Sequence, residues 1–285
     1  MCKYAHTGAD MRGAAMVKIK HRYGLIFVLK KTAFVYGALC GVAIVVPILL
    51  TTVTSDLLPF LLLPVLLIAS NYICGIWAFK ELKRLNEMLH TDLDPERFLK
   101  RFLEEVYSKK PDDWNGFTVT FVAQAYHAQG RFKEEERLYL RYLNEGGKLL
   151  MPECMSDGDY ALLGSLIVLY SDTGNVDGVK KAYAAVQKLE TALSQQVSDE
   201  VFKTALYNCY LKGIGRLDEC VEYFEHCVEI STNKLMELQS HFRLAEIYAA
   251  LGKSEAAQKE YRIVAENGKN LYIAKEAAQK LTPEQ

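Results

Sequence analysis

The sequence lacks the short motifs that mark common catalytic and cofactor sites. It contains no G-x-S-x-G, no phosphate-binding loop and no dinucleotide fingerprint, and its six histidines form no H-E-x-x-H pattern. These absences remove the motif-bearing hydrolases, nucleotide-binding proteins and zinc proteases from consideration. We therefore expect no catalytic residue, no metal and no cofactor. An enzyme with catalytic residues scattered along the chain is the alternative, and it predicts a deep polar cleft with perturbed titrating groups.

Paired cysteines are also missing. The chain has seven cysteines and no C-x-x-C pair, which is typical of a protein in a reducing compartment. Cys209, Cys220 and Cys227 lie close in sequence but lack the tight spacing of metal ligands. We interpret them as core-packing residues.

Charge is absent from two long stretches. Residues 32–55 and 57–79 hold 24 and 23 residues without Asp, Glu, Lys or Arg, and Asp56 separates them. Each stretch exceeds the roughly 20 apolar residues that an α-helix needs to cross a bilayer. Residues 32–79 are therefore predicted to form a transmembrane helical hairpin. Lys and Arg flank both outer ends and are missing from the turn, which predicts that both termini are cytoplasmic.

Small residues recur every four positions within the predicted spans. Gly37 and Gly41 lie in the first span, and Ser70 and Cys74 lie in the second, next to the polar Asn71. Such stripes let helix backbones approach closely in lipid. They predict packing within one hairpin or, alternatively, association of two chains through Gly37 and Gly41. Asn71 is expected to hydrogen-bond another helix.

The two ends of the chain differ in charge. Residues 1–31 carry seven Lys or Arg and one Asp, whereas residues 93–285 carry 24 Lys or Arg and 30 Asp or Glu. The basic arm can contact anionic lipid head groups, or it can serve only as the topology signal. The acidic remainder argues against a nucleic-acid partner, which requires a basic face.

The region after the hairpin shows little strand-like alternation, so we predict an all-α fold. A juxtamembrane helix is expected within residues 80–93, and Asp94-Pro95 is typical of an N-cap and first-turn proline that begin the domain of residues 94–285. Four apolar helices then end at glycines 44, 41 and 37 residues apart, where glycine favours the left-handed C-cap. These are Gly130, Gly174, Gly215 and Gly252.

The clearest copy of this unit spans residues 241–261. Its apolar, small and aromatic positions are Leu244, Ala245, Tyr248, Ala257 and Tyr261. They resemble the tetratricopeptide repeat, with its Leu-Gly-x2-Tyr and Ala-x3-Phe elements. His241 and Lys269 replace the Trp and Pro of the family pattern.

The resemblance covers roughly residues 115–268 and implies an α-solenoid of about four helix pairs with a terminal capping helix. Glu135 departs from the pattern, because it occupies a position that is usually small and buried. Residues 134–136 form an acidic run that we otherwise interpret as a solvated helix face.

Repeat arrays of this family imply binding of a peptide or protein in a groove lined by the first helix of each pair. The candidate groove residues are Gln124, His127, Lys212, Phe242 and Glu246. The carboxylate clamp of the chaperone-binding branch is absent, because Thr120, Gln124, Ala205 and Cys209 occupy the matching helices. The first hypothesis is thus a membrane-anchored adaptor for an unidentified protein or peptide, expected in a bacterial cell membrane. The second is a self-associating structural subunit that forms a homo-oligomer without catalysis.

Overall fold

The computed structural model describes residues 30–54, 61–106, 114, 116–144, 157–192 and 200–281. Within these ranges the chain forms twelve α-helices and no β-strand, which confirms the all-α fold class. The chain divides into two compact units, one of residues 1–87 and 100–109 and the other of residues 88–99 and 110–285. Residues 1–29 of the predicted basic arm and the predicted hairpin turn lie outside the described residues.

The first unit contains two long apolar helices, α1 (Lys30–Thr54) and α2 (Leu62–His90). Both are long and apolar enough to span a membrane, and only 11% and 17% of their apolar windows are buried. The core helix of a soluble protein would instead be mostly buried. As expected, α2 continues without a break beyond the apolar stretch to His90.

The two small-residue stripes of the first unit have different surroundings. Ser70 and Cys74 are buried, and the Ser70 hydroxyl donates to the carbonyl of Leu66 over 2.8 Å. In contrast, no atom lies within 4 Å of the place that a side chain would take at Gly37 or Gly41. The buried side-chain nitrogen of Asn71 has no hydrogen-bond partner in the described part of the chain, so the bond expected for it is not observed there.

The second unit is a series of antiparallel helix pairs. It begins at α3 (Pro95–Lys100), where the Asp94 side chain accepts from the Arg97 backbone N–H over 3.1 Å and caps the helix as predicted. A π-helical segment, Arg101–Val106, follows. The pairs are α4 (Gly116–Ala128) with α5 (Phe132–Asn144), α6 (Asp157–Asp172) with α7 (Val176–Ala192), α8 (Glu200–Gly213) with α9 (Val221–Ile230), and α10 (Lys234–Ala250) with α11 (Ser254–Asn267). The last helix is α12 (Tyr272–Leu281).

The first helix of every pair ends in the same backbone motif. The four glycines named above have φ between 68° and 82°, a region that side chains other than glycine rarely occupy. At Gly130, for example, the N–H of Arg131 bonds the carbonyl of Tyr126 over 2.9 Å, and the N–H of Gly130 bonds that of His127 over 2.9 Å. This is a Schellman cap, and it confirms the predicted helix ends.

The third pair differs from the other three. The second helices α5, α7 and α11 each begin two residues after the capping glycine, whereas α9 begins six residues after Gly215. A 3₁₀ turn, Leu217–Glu219, fills the interval. As a result, α8 packs mainly on α6, and α9 packs mainly on α10.

The terminal helix α12 contacts both ends of the second unit. It packs along α11, as a capping helix does. The Cβ atom of Tyr272 also lies only 3.0 Å from the position that a Cβ atom would take at Gly130. The Lys269 ammonium, just before α12, donates to the carbonyl of Asp92 over 3.2 Å. The last repeat therefore meets the first.

Candidate functional site

The first helices of the four pairs carry a chain of buried charges. It starts at His127 near the end of α4, whose Nδ1 lies 2.9 Å from a carboxylate oxygen of Glu135 on α5. The two side chains are 8% and 3% exposed, so neither charge is solvated by bulk water. Each must be compensated by the other or by further protein groups.

Asp172, the last residue of α6, is the centre of this chain. Its carboxylate lies 3.4 Å from Nε2 of His127 and 3.2 Å from the Lys212 ammonium on α8. It also accepts a forked pair of bonds from Arg243 on α10, from Nε over 3.0 Å and from Nη2 over 2.6 Å. Planar guanidinium groups favour this geometry. Lys212 continues to Glu246 over 3.1 Å.

These six residues, which we call the ion network, contain three basic and three acidic side chains. They are Glu135, His127, Asp172, Lys212, Arg243 and Glu246. Because basic and acidic groups are equal in number, the network brings no excess charge of either sign into the interior.

The protonation states follow from the surroundings of each group. Burial alone would raise the pKa of Asp172, but Arg243 and Lys212 outweigh it and hold that pKa well below its usual range. Burial would lower the pKa of His127, but Glu135 and Asp172 raise it to about 9. The pKa of Glu135 is itself raised by burial. Asp172 is therefore the anion that most firmly holds the His127 proton.

Aromatic rings line one side of the network. The ring of Tyr272 lies 6.1 Å from His127 and 5.0 Å from Phe132, nearly perpendicular to both. Phe242 lies 6.3 Å from Tyr272 and 5.8 Å from Tyr261. Edge-to-face contacts of this kind favour packed aromatic clusters, and this one shields His127 from solvent on that side.

The structure brings together three of the five predicted groove residues. His127, Lys212 and Glu246 all belong to the ion network, and Phe242 belongs to the aromatic cluster beside it. Gln124 lies on the same helix as His127 and is exposed. The side chain of Glu246 is 35% exposed, whereas Lys212 and Phe242 are almost fully covered. The role of these residues in partner binding stays a prediction.

Sequence reasoning missed Asp172 and Arg243. Arg243 lies three residues before Glu246, so helical spacing alone places both on one face of α10. Asp172 lies two residues before its capping glycine, in a helix that is otherwise largely apolar. An isolated charge in such a helix is a usable signal, although its partners lie on other helices.

The interpretation of residues 134–136 as a solvated face is wrong for Glu135. Its neighbour Glu134 is partly exposed and pairs with Arg131 over 3.0 Å, and Glu136 accepts from the Tyr170 hydroxyl over 2.8 Å. Glu135 instead points inward at the repeat position that is normally small. His127 accommodates it there by supplying an opposite charge.

The other candidate chemical groups are packed or unconnected. Burial raises the pKa of Cys209 to about 12 and of Cys220 to about 11, so both thiols stay protonated, which suits packing residues. No group of three or more His, Cys, Asp and Glu side chains in the described ranges is placed to hold a metal ion. A pocket of about 490 Å³ lies at the turns of the first two pairs, beside Arg131, Phe132 and Tyr170. None of the six network residues lines it.

The comparison with known families agrees with the repeat architecture. The sequence model of the tetratricopeptide repeat matches residues 209–234 and 238–263, which cover α9 and most of α8, α10 and α11. No curated protein and no solved structure matches the chain significantly. Repeats of this family generally mediate protein–protein interaction and are typically non-catalytic. The described helices form a tetratricopeptide-like α-solenoid, and the matched part of this chain is similar to that family.

Proposed function

We propose that this protein is a membrane-anchored interaction module. In this proposal α1 and α2 form a two-span hairpin with both termini in the cytoplasm of a bacterial cell, and the repeat unit recruits a protein or peptide. The observation that carries it is the sequence of two long, mostly exposed apolar helices followed by helical repeats. Anchoring would act by mass action, because it raises the local concentration of the bound partner.

The partner is proposed to bind at the first-helix face. Of the five candidate residues, Gln124 is exposed and Glu246 is partly exposed, so a partner would contact these two first. His127, Lys212 and Phe242 would support the face from beneath. Lys212 already holds Asp172 and Glu246, which leaves it poorly placed to bind an added carboxylate.

Site-specific photo-cross-linking of the full-length chain in native membranes tests this proposal. A photoreactive residue at position 124 is expected to capture one defined protein. The matched control is position 180, an exposed lysine on the second helix α7. Equal capture from both positions, or no capture from position 124, would contradict the proposal that a partner binds at the first-helix face.

The topology has its own test. A cytosolic reporter fused to the C-terminus should be active, and an export-dependent reporter at the same place should be inactive. The opposite pattern would show that the repeat unit is not cytoplasmic and would overturn the proposed orientation.

Self-association is a second candidate function, and one observation favours it. Gly37 and Gly41 have no atom within 4 Å of their side-chain positions, so this face of α1 is open to a second helix. Replacing both glycines with Leu would prevent close approach of two backbones and is expected to abolish oligomers in membranes. An unchanged oligomer size would exclude this face.

A further inference from the structure

The second unit contains two separately packed groups of helices. We call α4–α8 the N-terminal lobe and α9–α12 the C-terminal lobe. The division falls inside the third pair, where α8 packs mainly on α6 and α9 packs mainly on α10. Apolar residues fill each lobe, for example Ile167 and Val179 in the first and Leu238 and Val264 in the second, all fully or almost fully buried.

The segment between the lobes differs from the equivalent segment in the other pairs. It consists of Ile214, Gly215, Arg216 and the 3₁₀ turn Leu217–Glu219. Gly215 has φ +82°, and its side-chain position is open, with no atom within 4 Å. Hinges are short segments of this kind, in which a few residues between packed elements change their backbone angles.

The ion network bridges the two lobes. Arg243 of the C-terminal lobe binds Asp172 of the N-terminal lobe, and Lys212 of the N-terminal lobe binds Glu246 of the C-terminal lobe. Tyr272 adds an aromatic contact to Phe132 across the same boundary. These contacts are mainly polar, whereas the contacts within each lobe are mainly apolar.

The physical character of these contacts makes separation of the lobes feasible. Forming a buried ion pair removes two charges from water, and this desolvation cost cancels much of their attraction. When the lobes separate, Arg243, Glu246 and Lys212 regain water. Asp172 keeps Lys212 and His127, which lie in its own lobe, so opening leaves no carboxylate buried without a partner.

We infer that the repeat unit opens and closes about the α8–α9 segment, and that the Asp172–Arg243 and Lys212–Glu246 ion pairs hold it closed. Opening uncovers the first-helix faces of both lobes, including His127 and Phe242, which are covered in the closed form. The two ion pairs thus act as a salt-sensitive latch. This inference goes beyond the proposed function, because opening is measurable without any partner.

Distance measurements on the full-length chain test the latch. Labelled non-natural residues at positions 188 and 259, both exposed lysines in different lobes, leave the seven native cysteines untouched. The wild-type protein in 50 mM NaCl should give one main distance. Arg243→Gln should add a longer distance, with the open-to-closed ratio raised at least about tenfold. Raising NaCl to 1 M should shift the wild-type protein in the same direction, because salt screens the more exposed members of the pairs.

Further variants make the result decisive. Arg243→Lys keeps the charge without the forked bonds and should give an intermediate ratio, whereas Arg262→Gln, at an exposed arginine, should behave as wild type. If Arg243→Gln lost helical circular dichroism, Glu246→Gln would serve instead, because it breaks the second pair at a partly exposed position. A single unchanged distance in the folded Arg243→Gln or Glu246→Gln protein, at both salt concentrations, would overturn the inference.

Discussion

The two units of this protein place their side chains in opposite ways. The first unit exposes large apolar residues such as Ile44, Ile68 and Ile73, while the second buries Glu135, Asp172 and other charges. Each arrangement is costly in water unless something compensates for it. Lipid would supply that compensation for the exposed apolar helices, and neighbouring opposite charges supply it for the buried ionic groups. The difference teaches that burial by itself does not identify a core.

The largest expected effect comes from removing the central anion of the network. Asp172→Ala leaves Arg243, Lys212 and His127 without their shared carboxylate, and breaking a buried ion pair costs about 3–5 kcal/mol. The free energy of unfolding of the full chain in micelles should fall by that amount. The control Asp218→Ala removes an exposed carboxylate and should change it by about 0.5 kcal/mol or less. Equal stability of the two variants would mean that the network contributes nothing.

A charge on the apolar side of the comparison should have a slightly smaller effect. Ile44 is 49% exposed on α1, and an Arg at the centre of a transmembrane helix costs about 2.5–3.5 kcal/mol in insertion experiments. Ile44→Arg should therefore lower the membrane-inserted fraction of the chain, whereas Ile44→Leu should not. Full insertion of the Ile44→Arg protein would argue that α1 does not span a bilayer.

Titration of His127 should have an effect of up to about 3 kcal/mol. The pKa of His127 is raised from 6.5 to about 9, so its stabilising effect is complete below about pH 6.5 and is lost as pH rises through about 9. The raised pKa of Glu135 acts in the same direction. Thermal unfolding at pH 6 and pH 9.5 measures this loss. His127→Gln should lose most of the difference between the two pH values, and an undiminished difference would assign the pH dependence to other groups.

The smallest effect is expected where neither exposed apolar surface nor buried charge changes. Gly252 has φ +74° and an open side-chain position. Gly252→Ala therefore adds only backbone strain, about 1–2 kcal/mol. Gly252→Asn should recover part of this loss, because Asn tolerates the left-handed region better. If Ala and Asn gave the same unfolding free energy, strain at the cap would not be the cause.

Much of the local structure was predictable from the sequence. The capping glycines, the N-cap at Asp94 and the continuation of α2 to His90 all depend on contacts within a few residues. Helical register also singled out His127, Lys212 and Glu246, because these residues are polar on a face shared by the first helices. The burial of Glu135 was indicated by its repeat position, but its acidic neighbours favoured the wrong interpretation.

The sequence by itself determined the all-helical repeats, the two apolar helices and where the first helix of each pair ends, because these follow from local backbone preferences and the periodicity of apolar residues. The tertiary structure decided which charges meet. Asp172 and Arg243 are 71 residues apart, and Tyr272 reaches Gly130 only because the last repeat packs against the first. Such contacts depend on how the helices stack, and local sequence patterns carry no information about partners at that separation.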